Sequence, residues 1–455
     1  MRLIRKSELV RLEPTAVTAP LVVNKSCIDQ NLLLPTTMST PTLTPVQLNE
    51  MTSPVLPQEV LDEIISKLAD ETSTLKSCSL VCRPLRRSAQ KILFGSIVVV
   101  LVDDNGPSQP INLVLIVEHA PHLIEYIQKL RISFHLPSDV DGKITDLANA
   151  SGIFSRKGES LPINLRSLCL HNVAWQFIPP GLQDALVLLM TVHSLRAITL
   201  DHISDCPANL VQNLPPLLEH LTLKDTTFWS LPTTRKELPK LESLTIRARY
   251  ILMDAYTGLD QFPGDSMQCI VNMSRLKTFQ WDRCDTHTMP VVERFLRPAS
   301  NSLEHLTLEQ LYIEEKDSMP FDLNQLPQLT EITISHVCYT YKRRPLARIP
   351  RAIIWIITTM KNISHRNMIQ NLSFRLEFGQ MIQMVNFDSV MKDVWQELDA
   401  ICSIPQLASS KSFRGITFSI QSTALNCDAF SDLVQNKLPV TKQASKLHIK
   451  TSSFR

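Results

Sequence analysis

Cys78 and Cys82 lie four residues apart and are the first residues along the chain whose type and spacing could support chemistry. Residues i and i+4 share one face of a helix, so the pair could supply two thiolates to a metal ion. A structural zinc site needs four ligands, and no second pair stands nearby. The alternatives are a redox pair and the packing of reduced thiols into an apolar core. We predict packing, and no metal at this position.

Two histidines, His220 and His305, occupy the same place in two copies of the hexapeptide LEHLTL, which begins at residues 218 and 303. The ligands of one ion must each lie within about 2 Å of it, and several copies of a repeated pattern separate these two histidines. Repetition therefore explains the pair better than shared coordination. The sequence predicts neither a metal nor a cofactor.

Common enzyme motifs are missing from the sequence, which contains no phosphate-binding loop, no G-x-G-x-x-G, no G-x-S-x-G and no H-E-x-x-H. The chain has only ten glycines against 29 prolines, and glycine is what lets a backbone approach a phosphate closely. Cys169 and His171 could still meet as the nucleophile and base of a thiol hydrolase. We predict a protein without catalytic activity and keep the hydrolase as an alternative.

Bulk properties exclude several classes of protein. A chain of 455 residues most often holds one to three domains, and a net charge of +2 creates no field that would attract nucleic acid or membrane. Ten thinly spread cysteines indicate reduced thiols, and the longest apolar run, AIIWIITTM, is too short to span a bilayer. We expect a cytoplasmic or nuclear protein with no membrane partner.

A basic stretch, YKRRPLARIPR at 341–351, interrupts this neutral background. A solvated loop is the ordinary interpretation of such a stretch. A nuclear import signal and a nucleic-acid contact are the alternatives, the second less favoured because the surrounding chain is nearly neutral.

The elements that position these residues begin after residue 50. Residues 1–50 show no periodicity and are predicted to form a disordered leader. After Pro57, apolar residues recur at helical spacing, with Val60, Leu61, Ile64, Ile65 and Leu68 as the first stripe. A second helix is predicted up to the CSLVC stretch and a third from the next proline. Three short helices cannot bury this much apolar surface among themselves, so another surface must cover it.

The residues LPQEVLDEIISKL, TLKSCSLVCRPLRRSAQ and LF, in this order, resemble the F-box, and most closely the version common in fungal proteins. This resemblance implies binding to a Skp-type adaptor, which links F-box proteins to a cullin-RING ubiquitin ligase. The residues expected at that interface are Leu56, Pro57, Ile64, Leu80, Val81, Cys82 and Leu85. The family usually has Trp at the position of Leu85, and losing an indole removes a large apolar contact.

A pattern L-x-x-h-x-h, in which h is apolar, recurs beyond residue 160. The copies are LRSLCL at 165, LRAITL at 195, LEHLTL at 218 and 303, LESLTI at 241, LKTFQW at 276 and LTEITI at 329, with FRGITF at 413 as a weaker late copy. The last two apolar positions alternate with polar ones, which predicts a short strand in each copy. Helical periodicity from residue 183, after Pro290 and from residue 390 predicts helices between strands.

This alternation resembles leucine-rich repeats, although the usual Asn after the strand is replaced by Val173, Ile203, Thr226 and Leu311. The fold class expected is α/β, with an N-terminal three-helix F-box followed by a leucine-rich-repeat-like curved solenoid that contains a parallel sheet. The expected divisions are 1–50 for the leader, 51–97 for the F-box, 98–160 for a connecting helix and strand segment, 161–425 for the solenoid and 426–455 for a C-terminal segment.

If the apolar strand positions point inward, the polar positions between them form a row on the outer sheet face. The candidates for target binding on this face are His171, Asp201, His220, Lys224, Arg247, Asp282, His305 and Glu309. A solvated strand face is polar whatever its role, so only the row as a whole is a candidate site.

Taken together, the resemblances imply the substrate-recognition subunit of an SCF-type cullin-RING ubiquitin ligase. The F-box would bind the Skp-type adaptor, the solenoid would bind an unknown protein target, and catalysis would belong to other subunits, with the target held nearby at high local concentration. The alternatives are a non-ligase protein-binding scaffold with a vestigial F-box and the thiol hydrolase at Cys169 and His171.

Overall fold

The computed structural model of the chain describes residues 56–102, 120–135, 164–207, 210, 213–226, 238–247, 271–282, 289–311, 313, 321–338, 348–364, 366–378, 384–404, 407, 413–422 and 427–453. The predicted leader at 1–50 lies outside these residues. Most of the basic stretch, 341–347, lies outside them as well.

Three short helices open the described part of the chain. They are α1 (Gln58–Lys67), α2 (Thr72–Val81) and α3 (Arg83–Leu93). Pro57 directly precedes α1 and Pro84 lies in the first turn of α3. Proline is tolerated there because N–H groups of the first turn have no partner within the helix. Cys82 has an extended backbone, with φ −152° and ψ 162°, so α2 ends before it.

A small apolar core joins these three helices. Its buried members are Ile65, Leu75, Ala89 and Leu93, and the partly buried Leu68, Cys78, Leu85, Ile92 and Phe94 pack against them. Helix α3 packs against both α1 and α2. We call this unit, residues 56–94, the helical module.

Polar contacts also fix α1 on α3. Gln58 Nε2 donates hydrogen bonds to Asp62 Oδ1 at 2.7 Å and to Ser88 Oγ at 3.0 Å. The hydroxyl of Ser88, which is itself buried, donates to the Asp62 carboxylate. These two hydrogen bonds to its carboxylate lower the pKa of Asp62, because they favour the charged form.

Twelve parallel strands form one sheet in the described residues, and their order in space is their order in the sequence. They are β1 (Ser96–Val102), β2 (Lys129–His135), β3 (Ser167–Ala174), β4 (Ala197–Ser204), β5 (His220–Lys224), β6 (Ser243–Arg247), β7 (Thr278–Asp282), β8 (His305–Glu309), β9 (Glu331–Cys338), β10 (Asn371–Phe378), β11 (Gly415–Ser422) and β12 (Leu447–Ser453).

Helices lie between many of these strands, as parallel neighbours require a crossover connection. The α-helices are Pro180–Met190, Met289–Leu296, Arg348–Lys361, Met384–Met391, Trp395–Asp399, Cys427–Lys437 and Pro439–Gln443. The 3-10 helices are Pro121–Tyr126, Trp175–Phe177, Arg297–Ala299, Leu323–Gln325 and Ala400–Ser403.

Two apolar rows cross the sheet at fixed register. One aligns Leu168, Ile198, Leu221, Leu244, Phe279, Leu306, Ile332, Leu372 and Ile416, and the other aligns Leu170, Leu200, Leu223, Ile246, Trp281, Leu308, Ile334, Phe374 and Phe418. All of them except Ile246 are buried. They belong to one continuous core with helix residues such as Leu186, Phe295 and Ile353.

Aromatic side chains extend this core near the C-terminal end of the sheet. Phe387 has its ring centroid 5.1 Å from that of Phe430, 5.6 Å from Phe378 and 5.9 Å from Trp395. Edge-on and tilted pairs at such distances are favourable because a positive ring edge meets a negative ring face.

The predicted α/β class with a parallel sheet is confirmed. Each copy of the L-x-x-h-x-h pattern coincides with one of the strands β3 to β9 or with β11, because its last two apolar positions supply the two buried rows. The pattern does not identify β1, β2, β10 and β12. The sheet therefore runs from Ser96 to Ser453 and extends beyond the expected 161–425 on both sides.

Phe94 and Gly95 connect the helical module to the sheet. Phe94 packs against the small core and against the large one. The Gly95 carbonyl accepts hydrogen bonds from the backbone N–H groups of Gln128 and Lys129, both at 2.9 Å. A Cβ at Gly95 would lie 2.7 Å from the Lys91 carbonyl oxygen, which is closer than van der Waals contact. Glycine has no Cβ and avoids this clash.

Candidate functional site

The helical module exposes large apolar side chains on α1 and at the end of α2. Of the twelve exposed large apolar side chains among the described residues, five belong to this short segment: Leu56, Val60, Ile64, Leu80 and Val81. Leu80 is 72% exposed. Exposed apolar residues are normally scattered singly over a protein surface, so five of them within one short segment form an unusual concentration.

The apolar stripe predicted on α1 is divided between two environments. Ile65 is 1% exposed and belongs to the small core, whereas its neighbour Ile64 is 48% exposed. Val60 lies outside with Ile64, and Leu68 packs inward. The helix therefore buries one half of its apolar surface in this chain and leaves the other half accessible.

The residues expected at the adaptor interface differ in accessibility. Leu56, Pro57, Ile64, Leu80, Val81 and Cys82 are all exposed. Leu85 is only partly exposed and packs against the small core of the module. Six of the seven residues are thus available to a partner, and Leu85 contributes mainly to holding α3 in place.

Cys78 and Cys82 do not share a helix face. Cys78 packs against the small core, while Cys82 lies beyond the end of α2 and is exposed. The two thiols therefore lie in different environments and not on one helical face, as the spacing alone suggested.

The eight candidate residues for target binding all lie on the polar face of the sheet. Six of them belong to a row that we call the charged row: Ser133, His171, Asp201, Lys224, Arg247, Asp282, Glu309, Ser335, Arg375, Ser419 and Lys450. His220 and His305 lie in another row, three strands apart. At the usual strand spacing this separates them by about 14 Å, which excludes shared coordination.

Neighbours in the charged row neutralise one another. Arg247 Nε lies 2.8 Å from Asp282 Oδ2, and the Asp282 side chain is only 1% exposed. Asp282 is therefore a structural partner of Arg247 and is not accessible to a target.

The next residue in the charged row, Glu309, is also affected by its surroundings. Burial raises the pKa of Glu309, and the nearby Asp282 carboxylate adds to this effect, while Arg247 and Arg375 oppose it.

A polar cavity of about 410 Å³ lies on the same face, at strands β9 to β12. It is lined by Glu331, Thr333, Asn371, Ser373, Arg375, Thr417, Ser419, His448 and Lys450. Arg375 and Lys450 bring two positive charges against the single carboxylate of Glu331. Together with the hydroxyl groups, they provide donors that suit an acidic or carbonyl-rich ligand.

Two histidines flank one carboxylate at the adjacent strands β3 and β4. His171 Nδ1 lies 3.4 Å from Asp201 Oδ2, and His202 Nδ1 lies 2.7 Å from Asp201 Oδ1. The other ring nitrogen of His202, Nε2, lies 3.2 Å from Asp225 Oδ2. Burial is the main cause that lowers the pKa of His171, against the opposing effect of Asp201.

Cys169 lies two residues before His171 on the same strand and face. Burial raises the pKa of its thiol. A nucleophilic cysteine acts as a thiolate and needs a lowered pKa, so this environment gives the hydrolase alternative no support.

Sequence reasoning did not identify His202, Asp225, Arg375, His448 and Lys450. His202 and Asp225 come directly after residues predicted to lie on the polar face. Because neighbouring side chains of a strand alternate, the pattern assigned both to the buried face. The other three belong to β10 and β12, which the repeat pattern does not mark. The available signal was a basic residue at a polar position of an alternating segment, as with Arg375 in SFRLEF and with His448 and Lys450 in LHIKTSS.

No protein-family model matches the chain, and comparison with curated proteins gives no match. Among the described residues, no helix combines the length and apolar character needed to cross a membrane.

Proposed function

We propose that the chain is the substrate-recognition subunit of an SCF-type cullin-RING ubiquitin ligase. In this proposal the helical module is an F-box that binds a Skp-type adaptor, and the sheet with its helices is a leucine-rich-repeat-like solenoid that binds a protein target. The observation that carries the proposal is the exposed apolar surface of α1 and α2.

The burial of the module supports this assignment in a specific way. Ile65 and Leu75 hold the helices together, so the module does not need Ile64, Leu80 or Val81 for its own core. A fully buried large apolar side chain contributes about 1.5–3 kcal/mol. The five large apolar side chains that the module leaves exposed would gain part of this free energy if a partner covered them.

The polar face of the sheet supports the target-binding half of the proposal. It combines a row of mixed charge with a cavity large enough for a few side chains of another protein. The positive side chains of Arg375 and Lys450 favour an acidic segment of the target at that end. Holding a target there would raise its local concentration near the catalytic subunits of the ligase.

Binding of a purified Skp-type adaptor to the full chain, measured by calorimetry, tests the adaptor half. We expect Leu80→Asp to abolish binding, because it places a charge in an apolar interface. The matched control is Leu188→Asp in helix Pro180–Met190, where the side chain is 57% exposed and far along the sequence from the module. Both positions are exposed, so both variants should fold.

A double variant, Leu56→Ala with Pro57→Ala, should weaken adaptor binding by a few kcal/mol, about 1.5–3 for a fully buried large apolar side chain. Circular dichroism would verify that α1 still forms without Pro57. Equal affinity of wild type and double variant would refute the assigned surface. A wild-type chain that binds no adaptor would favour the non-ligase scaffold.

Proximity labelling in cells, with the proteasome blocked, tests the target half. Proteins labelled by the wild type but lost with Arg375→Glu and Lys450→Glu are candidate targets of the cavity. Adaptor labelling should persist in this double variant, because the helical module is unchanged. Identical labelling patterns would place target binding elsewhere on the chain.

A further inference from the structure

The cluster of His171, Asp201 and His202 has the composition and spacing of a transition-metal site. One ligand atom from each of the three residues can be chosen so that all lie within 4.8 Å of one another. Imidazole and carboxylate together suit Zn²⁺ and similar ions, whereas Mg²⁺ and Ca²⁺ prefer oxygen ligands alone. Among the described residues, this is the one group of at least three histidine, cysteine, aspartate or glutamate side chains whose ligand atoms lie this close together.

Backbone geometry explains why two consecutive side chains, Asp201 and His202, lie together. In a regular strand they would point to opposite faces, but His202 has a positive φ of 56°. Asn172 in β3 and Asp225 after β5 have positive φ angles of 57° and 46° at equivalent positions. This left-handed conformation is uncommon outside glycine, and here it brings His202 and Asp225 next to each other.

The Asp201 carboxylate is shared between two imidazoles. Its two oxygens lie 3.4 Å from His171 Nδ1 and 2.7 Å from His202 Nδ1, and the two rings meet edge to face with centroids 5.7 Å apart. His171 Nδ1 is buried and has only the long 3.4 Å contact with Asp201, although a buried ring nitrogen normally has a close partner. An ion between these atoms would satisfy it.

We propose that His171, Asp201 and His202 bind one divalent transition-metal ion of the zinc type, with Asp225 as the outer partner of His202. The contact between His202 Nε2 and Asp225 Oδ2 at 3.2 Å is the arrangement in which a carboxylate orients a metal-bound histidine. Two carboxylates and two neutral imidazoles balance the charge of the ion. Three protein ligands leave a coordination position open to water or to a group of a bound protein.

This site does not depend on the proposed adaptor binding, because it lies on β3 and β4 and uses no residue of the helical module, although His171 and Asp201 also belong to the charged row. Its alternative is an ordinary chain of histidine and aspartate hydrogen bonds without an ion. The two alternatives differ in stoichiometric metal binding, which a hydrogen-bonded chain does not show.

Calorimetric titration of the full, chelator-treated chain with Zn²⁺ tests the proposal. We expect the wild type to bind one equivalent more than either His171→Ala or His202→Ala. The matched control is His305→Ala, because His305 Nδ1 lies 3.4 Å from Glu331 Oε2 in a similar pair that lacks a second histidine. That variant should keep the wild-type stoichiometry, and Mg²⁺ should give no signal.

A Co²⁺ titration followed by visible absorption gives a second measurement that does not depend on counting background sites. The wild type and His305→Ala should show the same bands of a nitrogen and oxygen site, and the two variants at the site should lose them. Asp225→Asn should keep the stoichiometry and bind about 10- to 100-fold more weakly, as expected for an outer partner.

Three outcomes would overturn the inference. They are no metal binding by the wild type, equal stoichiometry in the wild type and both site variants, and equal Co²⁺ spectra in all of them. Thermal unfolding of each variant shows whether it is folded. Because His171 and His202 lie on different strands, loss of fold in one variant leaves the other to decide. Full affinity in Asp225→Asn would refute the role of Asp225.

Discussion

The helical module and the sheet use the same kind of apolar sequence pattern with opposite results. The strands of the sheet bury nearly all of their aligned apolar positions against their neighbours and the helices beside them, which forms one continuous core. Ile246 in β6 and Leu447 and Ile449 in β12 are only partly buried. The helical module buries only four apolar side chains and leaves five large apolar ones exposed. The difference shows that repetition completes a core within one chain, whereas a single short unit has to be completed by another molecule.

The largest expected effect concerns the core of the sheet. Phe387→Ala should destabilise the fold by about 3–5 kcal/mol, because it leaves a cavity among three other aromatic rings. Chemical unfolding followed by tryptophan fluorescence would measure this, since Trp395 contacts Phe387 directly. A loss below about 1 kcal/mol would show that this part of the core is loosely packed.

Two adjacent isoleucines on α1 test the division of the helical module. Ile65→Ala should destabilise the module by about 2–5 kcal/mol, because it removes a central member of the small core. Ile64→Ala should change stability by no more than about 0.5 kcal/mol and should weaken adaptor binding instead.

Hydrogen exchange of the amides in α1 to α3 measures the stability of the module separately from that of the sheet. Equal effects of the two isoleucine variants on exchange would mean that both side chains belong to the same buried surface. In that case the contrast between the two regions of the molecule would not hold.

A smaller effect is expected from the polar contact between α1 and α3. Ser88→Ala should cost about 1 kcal/mol at neutral pH, because Asp62 loses the hydroxyl that donates to it. Folding lowers the pKa of Asp62 below its ordinary value of 3.8. The charged carboxylate therefore stabilises the folded module above pH 3.8, and this contribution to the free energy of unfolding is lost as the pH falls through the folded-state pKa.

Exchange measurements at several pH values would follow this difference between wild type and Ser88→Ala. The gap should narrow as the pH is lowered below 3.8. A gap that stays constant with pH would assign the effect of Ser88 to packing instead of to the carboxylate.

The smallest effect is expected within the charged row. The pKa of Glu309 is raised above its ordinary 4.5, so the folded state binds the proton more tightly and loses stability as the pH rises from 4.5 through the folded-state pKa. Glu309→Gln removes the charge and should stabilise the protein at neutral pH by no more than about 0.5 kcal/mol. Thermal unfolding should show the gain shrinking toward pH 4, and destabilisation at neutral pH would mean that Arg247 and Arg375 outweigh burial.

Short-range patterns explain which parts of the fold were predictable. The three helices follow from apolar spacing and from Pro57 and Pro84, and eight strands follow from the L-x-x-h-x-h pattern. Strands β1, β2, β10 and β12 escaped because the position three residues before their first aligned apolar residue, which is leucine in the clear copies of the repeat, is not leucine. It holds Phe94, Ile127, Ile369 and Ala444. Their place in the sheet depends on pairing with a neighbour, which no single segment encodes.

The sequence by itself determined the periodicity of the helices and strands, and with it the polar face that carries six candidate residues in one row. Only the tertiary structure decided which side of α1 is buried, because Ile64 and Ile65 have the same chemistry and differ only in what packs against them. Likewise, only the folded backbone joins His171 to Asp201, His202 and Asp225. Their approach requires parallel pairing of distant segments and a left-handed residue at His202, and both depend on long-range contacts that local spacing does not specify.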